Sequence, residues 1–148
     1  SSQKIFLHLC MAGRKRRSDC PINFALELFG DRWTFLIVRD LMFKGKHYYK
    51  EFLDAEEGIA TNILADKLAT LEDAGIINKT VDPTHRSRQI YALTRKGIDL
   101  VPVLVEVIMW SAKYDKQTAA DAAFVRRAKK DKEGIIEEIT QRLKSALS

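Results

Sequence analysis

The feature that most constrains the fold is an abrupt change in the spacing of apolar residues near position 76. Residues 61–74 carry leucines at intervals of four and three residues, the spacing of one face of an α-helix: Leu64, Leu68 and Leu71. Residues 77–81 and 88–93 are instead rich in β-branched and aromatic side chains, and they flank DPTHRS, a turn-forming sequence. The sequence therefore predicts an amphipathic helix followed directly by a β-hairpin.

The rest of the chain is predicted to be helical, in segments that are mostly separated by glycines. Upstream, the predicted helices cover residues 21–29, 31–43 and 48–54. Asp31 is expected to cap the second of these. Downstream, Thr94 is expected to cap a long helix over residues 95–114, which Pro102 bends. The polar segment after Asp115 ends in an apolar stripe at helical spacing and is also predicted to be helical.

This order of elements is that of a winged helix-turn-helix domain. The predicted fold class is mainly α with a small β-hairpin (α+β), within one domain. A helix about 10–12 Å across fits the major groove of DNA, and a hairpin beside it can reach the phosphates or the minor groove. The pattern therefore indicates duplex DNA as a partner.

The face of the predicted 61–74 helix opposite the leucines carries small and polar side chains, which allow close approach to base edges. These residues are Thr61, Asn62, Ala65, Asp66 and Ala69. Asn62 can contact adenine bidentately, Thr61 can bond a base or a phosphate, and the alanines can touch thymine methyl groups. Asp66 is repelled by phosphates unless it accepts from a cytosine amino group or pairs with a neighbouring base. The alternative is that this face is polar only because it lies in water.

Basic residues cluster around the predicted hairpin turn and around the start of the 48–54 helix. They are Lys79, Arg86 and Arg88 in the first group, and Lys44, Lys46, His47 and Lys50 in the second. We expect them to line one surface for the DNA backbone, with log affinity falling by about 0.9 per log unit of salt for each phosphate neutralised. The net charge of +5 is compatible with an anionic partner but does not require one, so the positions carry the argument.

Several segments, in the same order, resemble the HxlR-type winged-helix transcription regulators. They are Cys20-Pro21, GDRWTFLIVRDL at 30–41, KGKHYYKEF at 44–52, GIATNILADKLATLEDAGII at 58–77, YALTRKG at 91–97 and LVPVLVEVIMW at 100–110. The resemblance implies a homodimeric bacterial DNA-binding protein, with the 61–74 helix for recognition, the hairpin as wing and the helix after Thr94 in the dimer. It divides the chain into an N-terminal arm at 1–19, a winged-helix domain at 20–114 and a C-terminal helical extension at 115–148.

The long helix after Thr94 also favours a dimer on physical grounds. Four of its residues are expected to add more apolar surface than a small domain leaves in water: Val101, Val105, Ile108 and Trp110. Two recognition helices related by a two-fold axis predict an inverted-repeat operator with half-sites roughly 34–36 Å apart, or a multiple of that spacing. The alternative is that this helix packs on its own domain, with the C-terminal tail covering the remainder.

Cys20 stands directly before Pro21 and after a basic run. A residue before proline favours the dihedral angles of an N-cap, so Cys20 is expected to cap the first helix with its sulfur facing free backbone N–H groups. The helix dipole and the basic residues 14–17 favour the thiolate, whereas Asp19 opposes it. The family resemblance implies a redox-sensing role for a cysteine at this position in some members. The alternative is a structural or unused thiol.

The first 19 residues leave two further alternatives open. Met11 in front of the basic run suggests an alternative start, which weakens any role for Cys10 as a resolving partner of Cys20. The run GRKRR at 13–17 is either a flexible arm that touches DNA phosphates or a solvated terminus.

An enzyme is not expected. His8, His47 and His85 form no recognisable nucleophile constellation with a cysteine, and no phosphate-cradling loop or metal-ligand spacing is present. We therefore expect no cofactor and no metal. We also expect no membrane span, because no apolar run approaches the roughly 20 residues required, and a cytoplasmic location. The alternatives are a winged-helix module that binds another protein, and a regulator with a non-redox small-molecule effector.

Overall fold

The computed structural model describes residues 16–147, and its elements follow the predicted order. The helices are α1 (Pro21–Phe29), α2 (Thr34–Phe43), α3 (Tyr49–Leu53), α4 (Thr61–Asp73), α5 (Arg95–Ile98), α6 (Val101–Tyr114), α7 (Ala122–Lys130) and α8 (Lys132–Ser145). The strands β1 (Ile77–Val81) and β2 (Gln89–Leu93) form a two-stranded antiparallel sheet between α4 and α5. The predicted class, mainly α with a small β-hairpin, is confirmed.

The chain divides into two compact units, Ser1–Ala92 and Leu93–Ser148. The first unit therefore holds the predicted helix-turn-helix and nearly all of the hairpin, and the second holds α5 to α8. The predictions made for His8, Cys10, Met11 and residues 13–15 lie outside the described residues.

In the first unit, α4 packs against α2, α3 and β1. Its leucines Leu64, Leu68 and Leu71 are buried, and so are residues of every element that α4 contacts: Ile37, Val38, Leu41, Met42, Phe52 and Ile77. Burying one leucine side chain stabilises a fold by about 1.5–3 kcal/mol. The leucine stripe therefore determines which face of α4 is turned to solvent.

Asp31 caps the start of α2, as predicted. Its carboxylate accepts hydrogen bonds from the backbone amides of Trp33 (2.7 Å) and Thr34 (2.9 Å) and from the Thr34 hydroxyl (3.0 Å). Partial burial by itself raises the pKa of Asp31, but these hydrogen bonds and the charge of Lys67 outweigh it and lower the pKa. Because the Lys67 ammonium group lies 3.9 Å from the carboxylate, the same cap also attaches α4 to the start of α2.

Two glycines bracket α4. Gly58, in the turn before the helix, has φ of 70°, and Gly75, just after it, has φ of 74°. Both angles lie in the left-handed region, which residues with a Cβ rarely adopt. After the helix, the amides of Gly75 and Ile76 turn back to the carbonyls of Glu72 and Leu71, each at 3.0 Å. The glycines thus allow the chain to turn just before and just after α4.

In the second unit, α8 packs against α5, α6 and α7. The buried side chains include Ile98, Val101, Leu104, Val105, Ala128, Ile135 and Ile139. The predicted single helix over residues 95–114 is wrong, because the structure has two helices that are interrupted at Asp99 and Leu100. The physical reason is Pro102, which has no N–H to donate to the carbonyl of Ile98 and therefore occupies the first turn of a new helix.

The apolar face that α6 exposes also differs from the prediction. Val101 and Val105 are 0% exposed, so the interpretation that they add apolar surface beyond the core stripe is wrong. Ile108 is half-buried, and Trp110 is 67% exposed, as expected. The exposed apolar residues of α6 are Val103, Val107, Trp110 and Tyr114, which recur at intervals of four, three and four residues and so share one face.

Among the described residues, no helix is long and apolar enough to cross a lipid bilayer.

Candidate nucleic-acid interface

The predicted recognition face lies in solvent. Asn62, Ala65, Asp66 and Ala69 are exposed on the side of α4 opposite the buried leucines, and Thr61 is exposed in the first turn, at the flank of that face. The carboxylate of Asp66, which is 72% exposed, lies 3.8 Å from the ammonium group of Lys67. This neighbour offsets part of the negative charge that otherwise repels phosphates. The face presents a short amide, a hydroxyl and methyl groups within the first three turns of a helix.

The turn before α4 is fixed from two sides. The Tyr49 hydroxyl donates to the Thr61 carbonyl (2.8 Å), which attaches α3 to the first residue of α4. The Arg39 guanidinium donates two parallel hydrogen bonds to Glu57 (2.9 and 2.8 Å), and its Nε donates to Asp40 (3.0 Å). The hydrogen bonds from Arg39 lower the pKa of Glu57 to about 2. A paired, charged Glu57 therefore holds the turn against α2.

The wing is anchored by a buried carboxylate. Asp82, at the end of β1, is 2% exposed and accepts hydrogen bonds from the Thr84 hydroxyl (2.7 Å), the Thr84 amide (2.9 Å), the Tyr48 hydroxyl (3.1 Å) and Arg88 Nη2 (2.9 Å). Led by the two bonds from Thr84, these contacts outweigh burial and hold the pKa of Asp82 well below its usual range. The Arg88 guanidinium also lies 4.3 Å from the centre of the Tyr48 ring, at cation–π distance. We call Tyr48, Asp82, Thr84 and Arg88 the wing anchor.

Three of the predicted DNA-binding residues are engaged within the chain. Arg88 belongs to the wing anchor, and Lys46 lies with its Nζ 3.6 Å from the buried carboxylate of Asp40. The backbone carbonyl of His47 accepts from the Tyr91 amide (2.8 Å), and its Nδ1 lies 3.1 Å from the Tyr91 carbonyl oxygen, so His47 pairs with β2. Each of these residues therefore has a partner inside the chain, and its predicted role as a phosphate contact stays a prediction.

Other basic side chains remain available to a ligand. Lys50 on α3, Lys79 on β1 and Arg86 in the hairpin turn are exposed, and within residues 16–147 none of them forms an ion pair. Lys44 is exposed as well and adds positive potential near Glu57. The first unit therefore combines an exposed polar helix face with unpaired cations on the neighbouring helix and on the wing.

Cys20 has the N-cap geometry that the sequence predicts. Its φ of −64° and ψ of 128° are extended, and Pro21 is the first helical residue. The expectation that its sulfur satisfies the free amides is wrong, since the side chain makes no capping hydrogen bond. Two of the upstream basic residues are engaged elsewhere: Arg16 lies 3.8 Å from Asp19, and Arg17 donates to Asn23. The thiol itself is free and exposed.

The helix that Cys20 caps has an unusual surface. Ile22, Phe24 and Leu26 of α1 are each more than half exposed, and no residue of α1 is buried. Inside its own unit, α1 is attached to α2, in part by the stacking of Phe29 on Phe35 at 4.6 Å between ring centres. Among the described residues, Ile22 and Leu26 therefore share an exposed apolar side of α1, and Phe24 is exposed on the other side.

A small hollow lies between α2, α3 and the turn before α4. It is lined by Trp33, Ile37, Asp40, Phe52, Ile59 and neighbouring residues, and its volume is about 10 Å³. This is roughly the space of one water molecule, too small for an organic effector. In the described part of the chain, no group of three or more His, Cys, Asp or Glu residues is placed to hold a metal ion.

The fold and the exposed face of α4 define a winged-helix, DNA-binding transcriptional regulator. Comparison with known families then places the chain: residues 28–119 match the HxlR-like helix-turn-helix family, and the protein belongs to it. The resemblance inferred from the sequence is confirmed. The family and the names of its members indicate a DNA-binding regulator rather than an enzyme.

Curated relatives and solved structures agree with this assignment. An uncharacterized HTH-type transcriptional regulator of Synechocystis sp. is 33% identical over 131 residues, which cover 83% of this chain and 95% of the relative. The transcriptional regulator YodB of Bacillus subtilis, in its reduced form, has a TM-score of 0.55 at 31% identity and covers 68% of this chain and 99% of its own. The redox regulator HypR in its oxidized form has a TM-score of 0.56 at 28% identity and covers 64% of this chain and 96% of its own. YodB has also been crystallised bound to a quinone.

The wing anchor is the part of the site that sequence reasoning missed. The stretch from Asp82 to Ser87 is recognisable as a turn, but Tyr48 lies 34 residues before Asp82 in the chain. No local pattern connects these two residues. A usable signal is the aspartate that precedes Pro83 and Thr84, since aspartate in a turn often accepts a bond from the amide two residues on.

Replacing Asp82 with Asn should loosen the wing. The pKa of Asp82 is lowered in the folded state, so its contribution to stability is present above the ordinary aspartate pKa of about 3.9 and is lost as the pH falls below it. We expect several-fold faster amide hydrogen exchange in residues 84–88 of Asp82→Asn at neutral pH. The wild type should lose this protection only on acidification.

The matched control is Asp66→Asn, which removes a carboxylate that is 72% exposed and lies outside the wing. It should leave exchange in the hairpin unchanged. Equal protection of residues 84–88 in Asp82→Asn and in the wild type would contradict the assignment of the anchor.

Proposed function

We propose that this chain regulates transcription as a homodimer that binds an inverted-repeat operator. The observation that carries the proposal is the orientation of α4, whose leucine stripe is buried and whose opposite face is exposed over Thr61, Asn62 and Ala65. The HTH-type regulators among the relatives support DNA as the partner. In this arrangement α4 enters the major groove and the hairpin lies on the adjacent backbone.

Base recognition is assigned to the first turns of α4. Asn62 has the donor and acceptor that match the exposed edge of adenine, and Thr61 has a hydroxyl that can bond a base or a phosphate. Ala65 and Ala69 present methyl groups to thymine. Asp66, beside Lys67, accepts from a cytosine amino group.

Backbone contacts are assigned to the unpaired cations. Lys50, Lys79 and Arg86 neutralise phosphates, because they are exposed and have no ion pair among the described residues. Lys46, His47 and Arg88 are left out of this set, because Asp40, β2 and Asp82 already hold them. Their role is to keep the start of α3 and the wing in place.

The dimer is assigned to the apolar faces that the chain leaves in water. One face, on α1, is formed by Ile22 and Leu26, and the other, on α6, by Val103, Val107, Trp110 and Tyr114. Exposed apolar residues that share a helix face favour a protein partner over water. The partner proposed is a second copy of this chain, because two-fold related copies present two recognition helices to an inverted repeat.

Cys20 is proposed as the point where oxidants or electrophiles act. It is exposed at the N-terminus of α1, two residues before the exposed side chain of Ile22. YodB is known in reduced and quinone-bound forms and HypR in reduced and oxidized forms, which supports a thiol-responsive role here. Addition of the thiolate to a ring carbon of a quinone forms one carbon–sulfur bond at the expense of one carbon–carbon π bond, and with the thiol proton transferred to the quinone oxygen the product is a hydroquinone thioether, so no further oxidant is needed. A bulky adduct at this place would disturb the proposed dimer face of α1.

Base reading is tested by comparing Asn62→Ala with Arg86→Ala on an operator selected from random duplexes and on unselected duplex. Asn62→Ala should reduce the preference for the operator by about 1–3 kcal/mol, because a bidentate base contact is lost. Arg86→Ala should weaken binding to both duplexes equally and lower the salt slope by about 0.9 for each bound protomer, or about 1.8 for the dimer. Equal losses on both duplexes for Asn62→Ala would contradict its role. Absence of duplex binding by the wild type at low salt would favour a protein partner instead.

The dimer is tested with Trp110→Glu, since a charge at the centre of the α6 face cannot be buried against a partner without a large cost. The side chain is 67% exposed in the chain, so the protomer should fold normally. Sedimentation equilibrium should show a dimer for the wild type and a monomer for this variant. Gln117→Glu adds a charge at an exposed position after α6 and is the matched control. A wild-type monomer, or a variant that stays dimeric, would contradict the assignment.

The role of Cys20 is tested by treatment with benzoquinone. Mass spectrometry of the digested protein should locate an adduct on Cys20, and operator affinity should fall several-fold. Cys20→Ser should bind the operator as the untreated wild type does, before and after treatment. Unchanged affinity of a wild type that is fully modified at Cys20 would show that the thiol has no regulatory role.

A further inference from the structure

The strongly basic helix α7 lies outside the part of the chain that the family explains. The HxlR-like match ends at residue 119, and α7 begins at Ala122. Its nine residues, AAFVRRAKK, include four basic side chains and no acidic one: Arg126, Arg127, Lys129 and Lys130. Such a concentration of like charge is unfavourable within one short helix, because neighbours at intervals of three and four residues repel each other.

The apolar side of α7 is already occupied. Ala128 is 3% exposed, Phe124 and Val125 are half-buried, and the helix packs against α6 and α8. Arg126, Lys129 and Lys130, at intervals of three and one residues, share the opposite face and are exposed. The helix therefore has no free apolar face with which to enter a lipid surface, and what it offers to a partner is charge.

The two aspartates that flank α7 act as helix caps, and two nearby glutamates pair with other cations. The carboxylate of Asp121 accepts from the Ala123 amide (2.9 Å) as the cap of α7, and that of Asp131 accepts from the Gly134 amide (3.0 Å) as the cap of α8. Glu138 of α8 pairs with Arg127, and Glu106 of α6 pairs with Lys132. In the described residues, Arg126, Lys129 and Lys130 form no ion pair. We call these three residues the α7 basic face.

The helix dipole does not explain why all three cations are present on α7. Lys129 and Lys130 lie in the last turn, where the helix dipole favours positive charge. Arg126 lies one turn earlier and gains less from the dipole. Three unpaired cations on one exposed face are instead the arrangement that neutralises a row of phosphates.

We propose that the α7 basic face binds the phosphate backbone of duplex DNA, adding a sequence-independent contact to the one that α4 makes. The proposal rests on the proposed function, because it assumes that the chain binds duplex DNA. The contact adds affinity without changing which bases are read. Each cation that neutralises a phosphate releases a counterion, so the contact is visible in the dependence of affinity on salt.

The test compares full-length wild type with Arg126→Gln/Lys129→Gln/Lys130→Gln. Affinity is measured between about 50 and 200 mM salt on random duplex of about 40 base pairs, roughly four helical turns, and on the selected operator. The slope of log affinity against log salt should be less steep by about 0.9 for each cation in each bound protomer, or about 2.7 per protomer and about 5.4 for the proposed dimer. Over this range the wild type should therefore lose about 40-fold more affinity than the variant for each bound protomer, or about 1,800-fold more for the dimer.

The matched control is Arg127→Gln, which removes one charge of the same helix that is already paired with Glu138. It should leave the slope nearly unchanged, because this charge is not free. It should also leave the fold intact, because exposed ion pairs contribute little to stability. The three single variants at positions 126, 129 and 130 are measured as well, each with an expected loss of about 0.9 in slope for each bound protomer. They keep the test valid if circular dichroism shows that the triple variant is unfolded.

The outcomes separate this proposal from the proposed function. Wild-type binding to both duplexes, with the same slope in the triple variant, would overturn the role of the α7 basic face and leave operator binding by α4 intact. Failure of the wild type to bind any duplex at low salt would overturn both. Binding of the wild type to phosphatidylserine vesicles that the triple variant loses, with an unchanged slope on DNA, would assign the face to a membrane and overturn the proposal.

Discussion

The burial of the leucine stripe of α4 is the constraint on which the candidate interface depends. Leu64, Leu68 and Leu71 contribute to one core with α2, α3 and β1, and each is worth about 1.5–3 kcal/mol when it is removed from water. Rotating the helix to present another face would expose these side chains. The orientation that places Asn62 in solvent is therefore imposed by the core.

Buried carboxylates determine which cations are left for a ligand. Asp40 and Asp82 are almost completely buried, so it would be costly to leave their carboxylates unpaired. Lys46 pairs with Asp40, and Arg88 pairs with Asp82. Because some cations are paired in this way, the net charge of +5 does not by itself show which cations are free to bind a ligand. In the first unit the unpaired cations include Lys50 on α3 and Lys79 and Arg86 on the hairpin. In the second unit three of them lie together on α7.

The elements that could be predicted from the sequence are those specified by local patterns. The leucine spacing in α4, the two β-rich segments and the Asp31 cap each involve residues close together in the chain, and the structure confirms all three. The face of α6 could not be assigned in this way, because apolar residues occur on most of its circumference and only the packing of α8 shows which of them are buried. The wing anchor joins residues 34 positions apart, and no periodicity encodes such a contact. The pairing of Lys46 with Asp40 was missed for a related reason, since a basic residue in a loop does not reveal whether its partner is inside the chain.

The most direct test of the account is a nuclear magnetic resonance titration of the ¹⁵N-labelled full chain with its selected operator duplex. If α4 reads the bases, the largest changes in amide chemical shift should occur at Thr61, Asn62 and Ala65, with a second group around Arg86. With random duplex, the changes around Arg86 should persist and those in the first turn of α4 should become smaller. Changes of equal size for both duplexes in α4, or an operator complex in which residues 61–69 do not shift, would contradict the claim that this face recognises DNA sequence.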